Sequence, residues 1–255
     1  MALFKNIGDL SFIRGLVHAT VGFASYPGLT MVNNLEIEGM ENLEGLPKNN
    51  VLFVSNHQTY FADVIAFVHI FAAKRFGFTK KLTNPFYLLW PFTRIKFVAA
   101  EETMKSNFLS RIFALAGAVT VKRTWRAEGQ NVQRNRDEHD TKKIDEALQK
   151  NWVITFPQGT TKPFAPGRKG TAHIIKNNQP IVVPVVINGF WRAFDKKGLK
   201  FKKKGSTLSV TIKPPLQIDY TQTTDGILDQ VMDAIEQSKK FMLKGKHHLL
   251  NILDK

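Results

Sequence analysis

Asn56-His57-Gln58-Thr59-Tyr60-Phe61-Ala62-Asp63 places a histidine and an aspartate in one short segment, directly after the apolar run Val51-Leu52-Phe53-Val54. An imidazole held by a carboxylate can take a proton from a hydroxyl, with the carboxylate fixing the tautomer and stabilising the imidazolium. No serine in a glycine-flanked elbow stands nearby, so the hydroxyl would have to be that of a substrate. The same residues can equally be a polar turn that closes a strand. Five residues separate His57 from Asp63, a spacing that does not bring two side chains together on one helix face. A catalytic pair therefore requires a non-helical turn between strand and helix.

The elements that must position these residues follow from hydrophobic periodicity. Residues 3–25 read as a helix, broken by Pro27-Gly28, and Leu35 to Glu38 as a short strand. Val51 to Ser55 is a buried strand, and Phe61 to Lys74 a helix. Further strands are expected over Ile95 to Ala99, Val119 to Val121, Trp152 to Phe156, Ile181 to Ile187 and Leu208 to Lys213. Helices are expected over Met104 to Ala116, Asp137 to Lys150, Gly170 to Lys176 and Asp225 to Leu243, with an exposed arginine-rich loop over Trp125 to Asn135. This alternation predicts an α/β fold: one domain with a central, largely parallel sheet flanked by helices. Ligands in such sheets sit beyond the carboxyl ends of strands, where Ser55-Asn56-His57 and Pro157-Gln158-Gly159-Thr160 both fall.

The bulk of the sequence narrows the partners. The chain has 255 residues, enough for one sizeable core. Its lack of cysteine removes disulfides, thiolate metal sites and a cysteine nucleophile. A net charge of +15 favours polyanions or anionic lipid surfaces. A nucleic-acid binder would share that charge, but no zinc-ligand spacing, helix-turn-helix or RNP-like pattern is present. No apolar run is long enough to cross a bilayer, and no secretory leader pattern opens the chain. The segment 1–33 reads as a helical piece that lies in a membrane interface or packs on the domain, which itself spans 34–255.

Four motifs in order carry a resemblance. Asn56-His57 with Asp63 is the first. Gly117-Ala118-Val119-Thr120-Val121-Lys122-Arg123 is the second, Phe156-Pro157-Gln158-Gly159-Thr160 the third, and Ile181-Val182-Val183-Pro184-Val185-Val186 the fourth. The chain resembles the glycerolipid acyltransferase family, which contains the lysophosphatidic acid acyltransferases. The family pattern has four residues between His and Asp, a glutamate at the position of Gln158, and Arg-Ser where Thr161-Lys162 stand.

The resemblance implies His57 as general base, oriented by Asp63. It implies acceptor binding by Lys122, Arg123, Gln158, Gly159, Thr160 and Lys162, with Arg123 on the acceptor phosphate. The donor would be acyl-CoA or an acylated acyl carrier protein, and the acceptor a lysolipid hydroxyl, foremost that of 1-acylglycerol-3-phosphate. Neither a metal nor a bound cofactor is implied. The two departures leave room for another lysolipid, such as a mono-acylated amino-acid lipid, or for a catalytically inactive lipid-binding member. The expected location is peripheral, on the cytoplasmic face of the cell membrane.

Other polar groups read as structure. Lys122 and Arg123 can be a solvated strand end, Lys200 to Lys204 a solvated turn, and His139-Asp140 a helix surface. Arg168-Lys169 opens a helix, and His247 and His248 read as exposed tail. Phe86, Tyr87, Trp90 and Phe92 read as core or as an aromatic wall meeting lipid.

Overall fold

The computed structural model describes residues 7–91, 94–105, 108–122, 126–127, 130–131 and 138–242. Arg123, Phe92, His247 and His248 lie outside the described residues. Nine strands are described: β1 (Asn34–Glu38), β2 (Val51–Ser55), β3 (Ile95–Ala100), β4 (Ala118–Val121), β5 (Arg126–Ala127), β6 (Gln130–Asn131), β7 (Trp152–Thr155), β8 (Ile181–Asn188) and β9 (Thr207–Ile212). Seven form one sheet in the order β1-β9-β8-β2-β7-β3-β4. All neighbours are parallel except β8 and β9, so the predicted largely parallel sheet is what the chain builds.

The helices are α1 (Ile7–Thr30), α2 (Ala62–Lys74), α3 (Glu101–Lys105), α4 (Phe108–Leu115), α5 (Glu138–Lys150), α6 (Lys169–Asn178), α7 (Phe190–Ala193) and α8 (Thr224–Ala234). They cover both faces of the sheet. Phe67 and Phe71 of α2, Phe113 of α4 and Leu29 of α1 pack with Phe53, Ile154 and Val185 on one face. On the other, Leu148 of α5, Ile175 of α6 and Val231 of α8 pack with Leu52, Val153 and Val182. Every residue of β2 is buried, as expected of a central parallel strand covered on both faces. Pro184 is tolerated inside β8 because the β9 ladder begins one residue later, at Val185.

Several boundaries differ from the sequence reading. Helix α1 runs through Pro27 to Thr30 rather than breaking there. Residues after the proline still close onto it, with the Met31 and Val32 amides donating to the Pro27 carbonyl, and tertiary packing outweighs the local penalty. Its glycines permit that packing. A Cβ on Gly22 would lie 2.6 Å from Leu88, and one on Gly28 would lie 3.1 Å from the Phe201 ring.

The expected helix over Met104 to Ala116 is described as α3 and α4. It opens early, at Glu101 and Glu102, whose charges suit a helix N-terminus. The expected loop over Trp125 to Asn135 contains an antiparallel pair, β5 with β6. The C-terminal helix stops at Ala234, because Glu236 turns left-handed (φ 59°) and the Gln237 amide donates back to the Met232 carbonyl.

Candidate active site

The five parallel strands β8, β2, β7, β3 and β4 end on one edge of the sheet, and the edge of β2 carries His57. The turn from Asn56 to Phe61 is held from several sides. Asn56 grips β8 with both ends of its amide: Nδ2 donates to the Ile187 carbonyl and Oδ1 accepts the Ile187 amide, each at 2.8 Å. Gln58 Oε1 accepts the Phe190 amide at 2.9 Å. The Tyr60 and Phe61 amides donate to the carbonyls of Lys196 and Lys197.

Asp63 stands in the first turn of α2 and is fully buried. Its Oδ2 accepts His57 Nδ1–H at 2.9 Å, the Gln58 amide at 2.6 Å and the Thr59 amide at 3.0 Å. Its Oδ1 accepts the Thr59 hydroxyl at 2.7 Å. With donors on both oxygens, the carboxylate is fixed in orientation at the start of α2. The five intervening residues thus form a turn in which the first two amides point at the carboxylate, and the spacing does not displace the aspartate.

Because Nδ1 donates to Asp63, the lone pair of neutral His57 lies on Nε2, which makes no hydrogen bond to a described residue. The imidazole is half-buried and stacks on Phe156, with ring centroids 4.0 Å apart at 22°. That ring shields one imidazole face from water and restricts its rotation. The pair can therefore accept a proton from a hydroxyl placed at Nε2 and return it to a leaving group.

Phe156 brings the third motif alongside. Phe156 to Gly159 is a tight turn closed by the Gly159 amide on the Phe156 carbonyl, with Gly159 left-handed at φ 62°. Gly159 and Thr160 are half-buried and Lys162 is exposed, its amide near Thr160 Oγ1 at 3.3 Å. The Gln158 side chain turns inward instead. It is 2% exposed, and Nε2 donates to the Ala165 carbonyl and to Gln237 Oε1. Gln237 Oε1 also accepts the Phe164 amide. Gln158 therefore ties its own loop to the segment after α8, and its amide nitrogen is spent there.

Lys122 directly follows β4, three strands from β2, or roughly 14 Å across the sheet at the usual strand spacing. Its side chain is exposed, and its amide donates to Asp140 Oδ2 at 2.6 Å. Asp140, expected on a helix surface, is 6% exposed and also pairs with Lys143. Arg168 caps α6 and Lys169 pairs with Asp225 across the surface.

Thr59 and Gln58 were not singled out by the sequence reading. Their signal was present in part, since a threonine four residues before an aspartate at a helix start is a natural local donor. The Gln58 contact to Phe190 of α7 spans 132 positions in sequence and leaves no local trace.

A family model described as Acyltransferase matches residues 34–188, more than half of the chain. No curated protein matches the sequence. Among solved structures, the crystal structure of the 1-acyl-sn-glycerophosphate (LPA) acyltransferase PlsC from Thermotoga maritima is similar in fold. Its TM-score is 0.50 at 17% identity, covering 93% of this chain and 85% of that one. Because the family model spans all four motifs and more than half of the chain, the chain belongs to the acyltransferase family.

Proposed function

We propose that the protein transfers a fatty acyl chain from a thioester, on CoA or acyl carrier protein, to the hydroxyl of a lysolipid, foremost 1-acylglycerol-3-phosphate. The observation that carries this reading is the Nδ1–Asp63 hydrogen bond, which leaves His57 Nε2 open as an acceptor. The acceptor hydroxyl gives its proton to Nε2 as its oxygen attacks the thioester carbonyl. The tetrahedral intermediate collapses, the C–S bond breaks, and the departing sulfur takes the proton back from the imidazolium. An ester and a free thiol result.

Gly159, Thr160 and Lys162 lie on the turn that carries Phe156, the ring stacked on His57, which supports a place for them beside the acceptor. Lys122 and Arg123 would meet its phosphate from the β4 side. Gln158 is better read as a brace of the loop than as a donor to the ligand, since its amide nitrogen already has internal partners.

Work on lipid substrates requires meeting a bilayer, and α1 supports the proposal of a peripheral enzyme on the cytoplasmic face of the cell membrane. Phe12, Leu16, Phe23, Pro27 and Met31 form an exposed stripe at helical spacing, with Phe12 76% and Met31 75% exposed. Where α1 meets the turn Phe86–Leu89, Phe86, Leu89 and Trp90 are also exposed. Tyr87, by contrast, is core. No helix among the described residues is long and apolar enough to cross a membrane. The segment 1–33 is therefore proposed as the membrane-associating part, lying in the interface with the basic chain drawn to anionic lipid.

The test is acyl transfer from acyl-CoA and acylated carrier protein to a panel of lysolipids, with and without phosphate heads. The reading expects ester formation fastest with lysophosphatidate. A folded protein that esterifies none of the panel contradicts it.

A further inference from the structure

Where β8 ends and β9 begins, the sheet edge opens into a cleft of about 400 Å³. Asn188, Arg192, Lys203, Ser206, Thr207 and Ser209 line it. No carboxylate lines it, and neither Arg192 nor Lys203 forms an ion pair with a described residue. The Arg192 guanidinium is steadied by lying over the Trp191 ring, 5.0 Å from its centroid. Asn188 Oδ1 accepts the Gly189 amide, which leaves the Asn188 NH2 to donate.

The segment 190–206 holds Arg192 and six lysines (196, 197, 200, 202, 203 and 204) against a single acid, Asp195. That acid is already committed. Burial alone would raise its carboxyl, but the amides of Leu199, Lys200, Gly198 and Lys197 bring it below the ordinary value. The cleft is thus a cationic, hydroxyl-lined space with donors and no competing anion. Such a space suits a ligand with several phosphates.

Its position says which ligand. Gln58, the residue after His57, touches the lining: its Nε2 reaches Asn188 Oδ1 at 3.4 Å, and its Oε1 accepts the Phe190 amide. β8 neighbours β2 on one side, whereas Lys122 at the end of β4 lies three strands away on the other. His57 therefore stands between this cleft and Lys122, which lie on opposite sides of β2 along the sheet. A reaction between two phosphorylated substrates needs such an arrangement, since both must present their reacting atoms to one imidazole without sharing a phosphate site.

We propose that this cleft binds the nucleotide phosphates of an acyl-CoA donor, so that the pantetheine arm reaches His57 from the β8 side. The inference rests on the acyl-transfer reading. Arg192 and Lys203 supply charge-assisted bonds to the diphosphate and 3′-phosphate, and Thr207, Ser209 and the Asn188 amide supply neutral donors. The excess of lysines over acids in the segment matches a multiply charged nucleotide better than a single phosphodiester.

The test compares the full-length protein with Arg192→Ala, Lys203→Ala and the double variant, all exposed changes checked for unchanged Tm. CoA binding is measured by calorimetry. Turnover is measured with acyl-CoA and with acyl-pantetheine, which lacks phosphate. The double variant is expected to weaken CoA binding and raise the KM for acyl-CoA at least about tenfold, more at low salt than at high. The KM for lysophosphatidate and the rate with acyl-pantetheine should stay unchanged.

A raised KM for lysophosphatidate would overturn the proposal by making the cleft the acceptor's. An equal loss with acyl-pantetheine would overturn it by removing phosphate from the effect. Unaltered acyl-CoA kinetics in the variants of an active enzyme would overturn it while leaving acyl transfer intact. If the wild type transferred no acyl chain yet the variants lost CoA binding, the cleft assignment would stand and the reaction would be the part in error.

Discussion

Thr59 holds both oxygens of Asp63: its amide donates to Oδ2 at 3.0 Å and its hydroxyl to Oδ1 at 2.7 Å. Thr59 and Asp63 are both fully buried, so this contact sets the orientation of the carboxylate on which His57 depends.

Thr59→Val keeps the shape and removes the hydroxyl, leaving a buried carboxylate oxygen without its donor. The expected cost is about 1–3 kcal/mol of stability, measured by urea denaturation, together with a fall in kcat. Thr59→Ser should restore both. A Thr59→Val protein with unchanged stability and kcat would show that the hydroxyl is dispensable.

Gly198 ties the lysine-rich loop to the same turn. It is left-handed (φ 79°), and a Cβ there would lie 2.6 Å from the Ala62 amide nitrogen and 2.8 Å from Thr59 Oγ1. Gly198→Ala should lower kcat as well as Tm, because the displaced atoms belong to the turn that holds Asp63. Gly45 is also left-handed (φ 69°) but meets nothing within 4 Å. Gly45→Ala should show only the backbone strain, about 1–2 kcal/mol, with kcat unchanged. Equal effects of the two substitutions would contradict the coupling.

Gln158→Ala removes the brace between the loop after β7 and Gln237. The expected result is a lower Tm and faster proteolysis of the loop, with the KM for acceptor and donor altered together. A selective rise in the acceptor KM at unchanged Tm would return Gln158 to the acceptor site.

A second polar network lies away from the reaction. His69 is fully buried; its Nδ1 accepts the Tyr87 hydroxyl at 2.6 Å, and Nε2–H donates to Ser25 Oγ at 2.9 Å, which itself donates to the Val21 carbonyl. Burial lowers the His69 pKa from 6.5 to about 3. The native state therefore keeps His69 neutral while the unfolded chain binds a proton below about pH 6.5, so stability falls as pH drops from there toward 3. Between pH 6.5 and 5 the loss attributable to His69 should be about 1.6 kcal/mol. His69→Gln should flatten this part of the stability–pH curve. A slope identical to wild type would place the acid sensitivity elsewhere.

The alternation of buried strands with helices made the sheet legible, because β2, β7 and β8 are apolar runs of strand length whose period leaves little choice. His57, Asp63 and the turn after β7 were legible because they follow strand ends in a parallel sheet. Three features were not. The path of α1 through Pro27 depends on its packing against Leu88 and Phe201, residues far along the chain. The inward turn of Gln158 depends on Gln237, and the Schellman closure that presents Gln237 has no glycine to announce it. The cleft at Arg192 and Lys203 arises where antiparallel β9 returns to β8, a pairing that periodicity alone does not specify.

In the proposed transfer His57 Nε2 is the proton acceptor, and single-turnover acyl transfer by His57→Ala measures that role most directly. With Tm and CoA binding equal to wild type, the rate should fall by about 10²-fold or more, the scale of general-base catalysis. A folded His57→Ala protein that transfers the acyl chain at near the wild-type rate would contradict the mechanism.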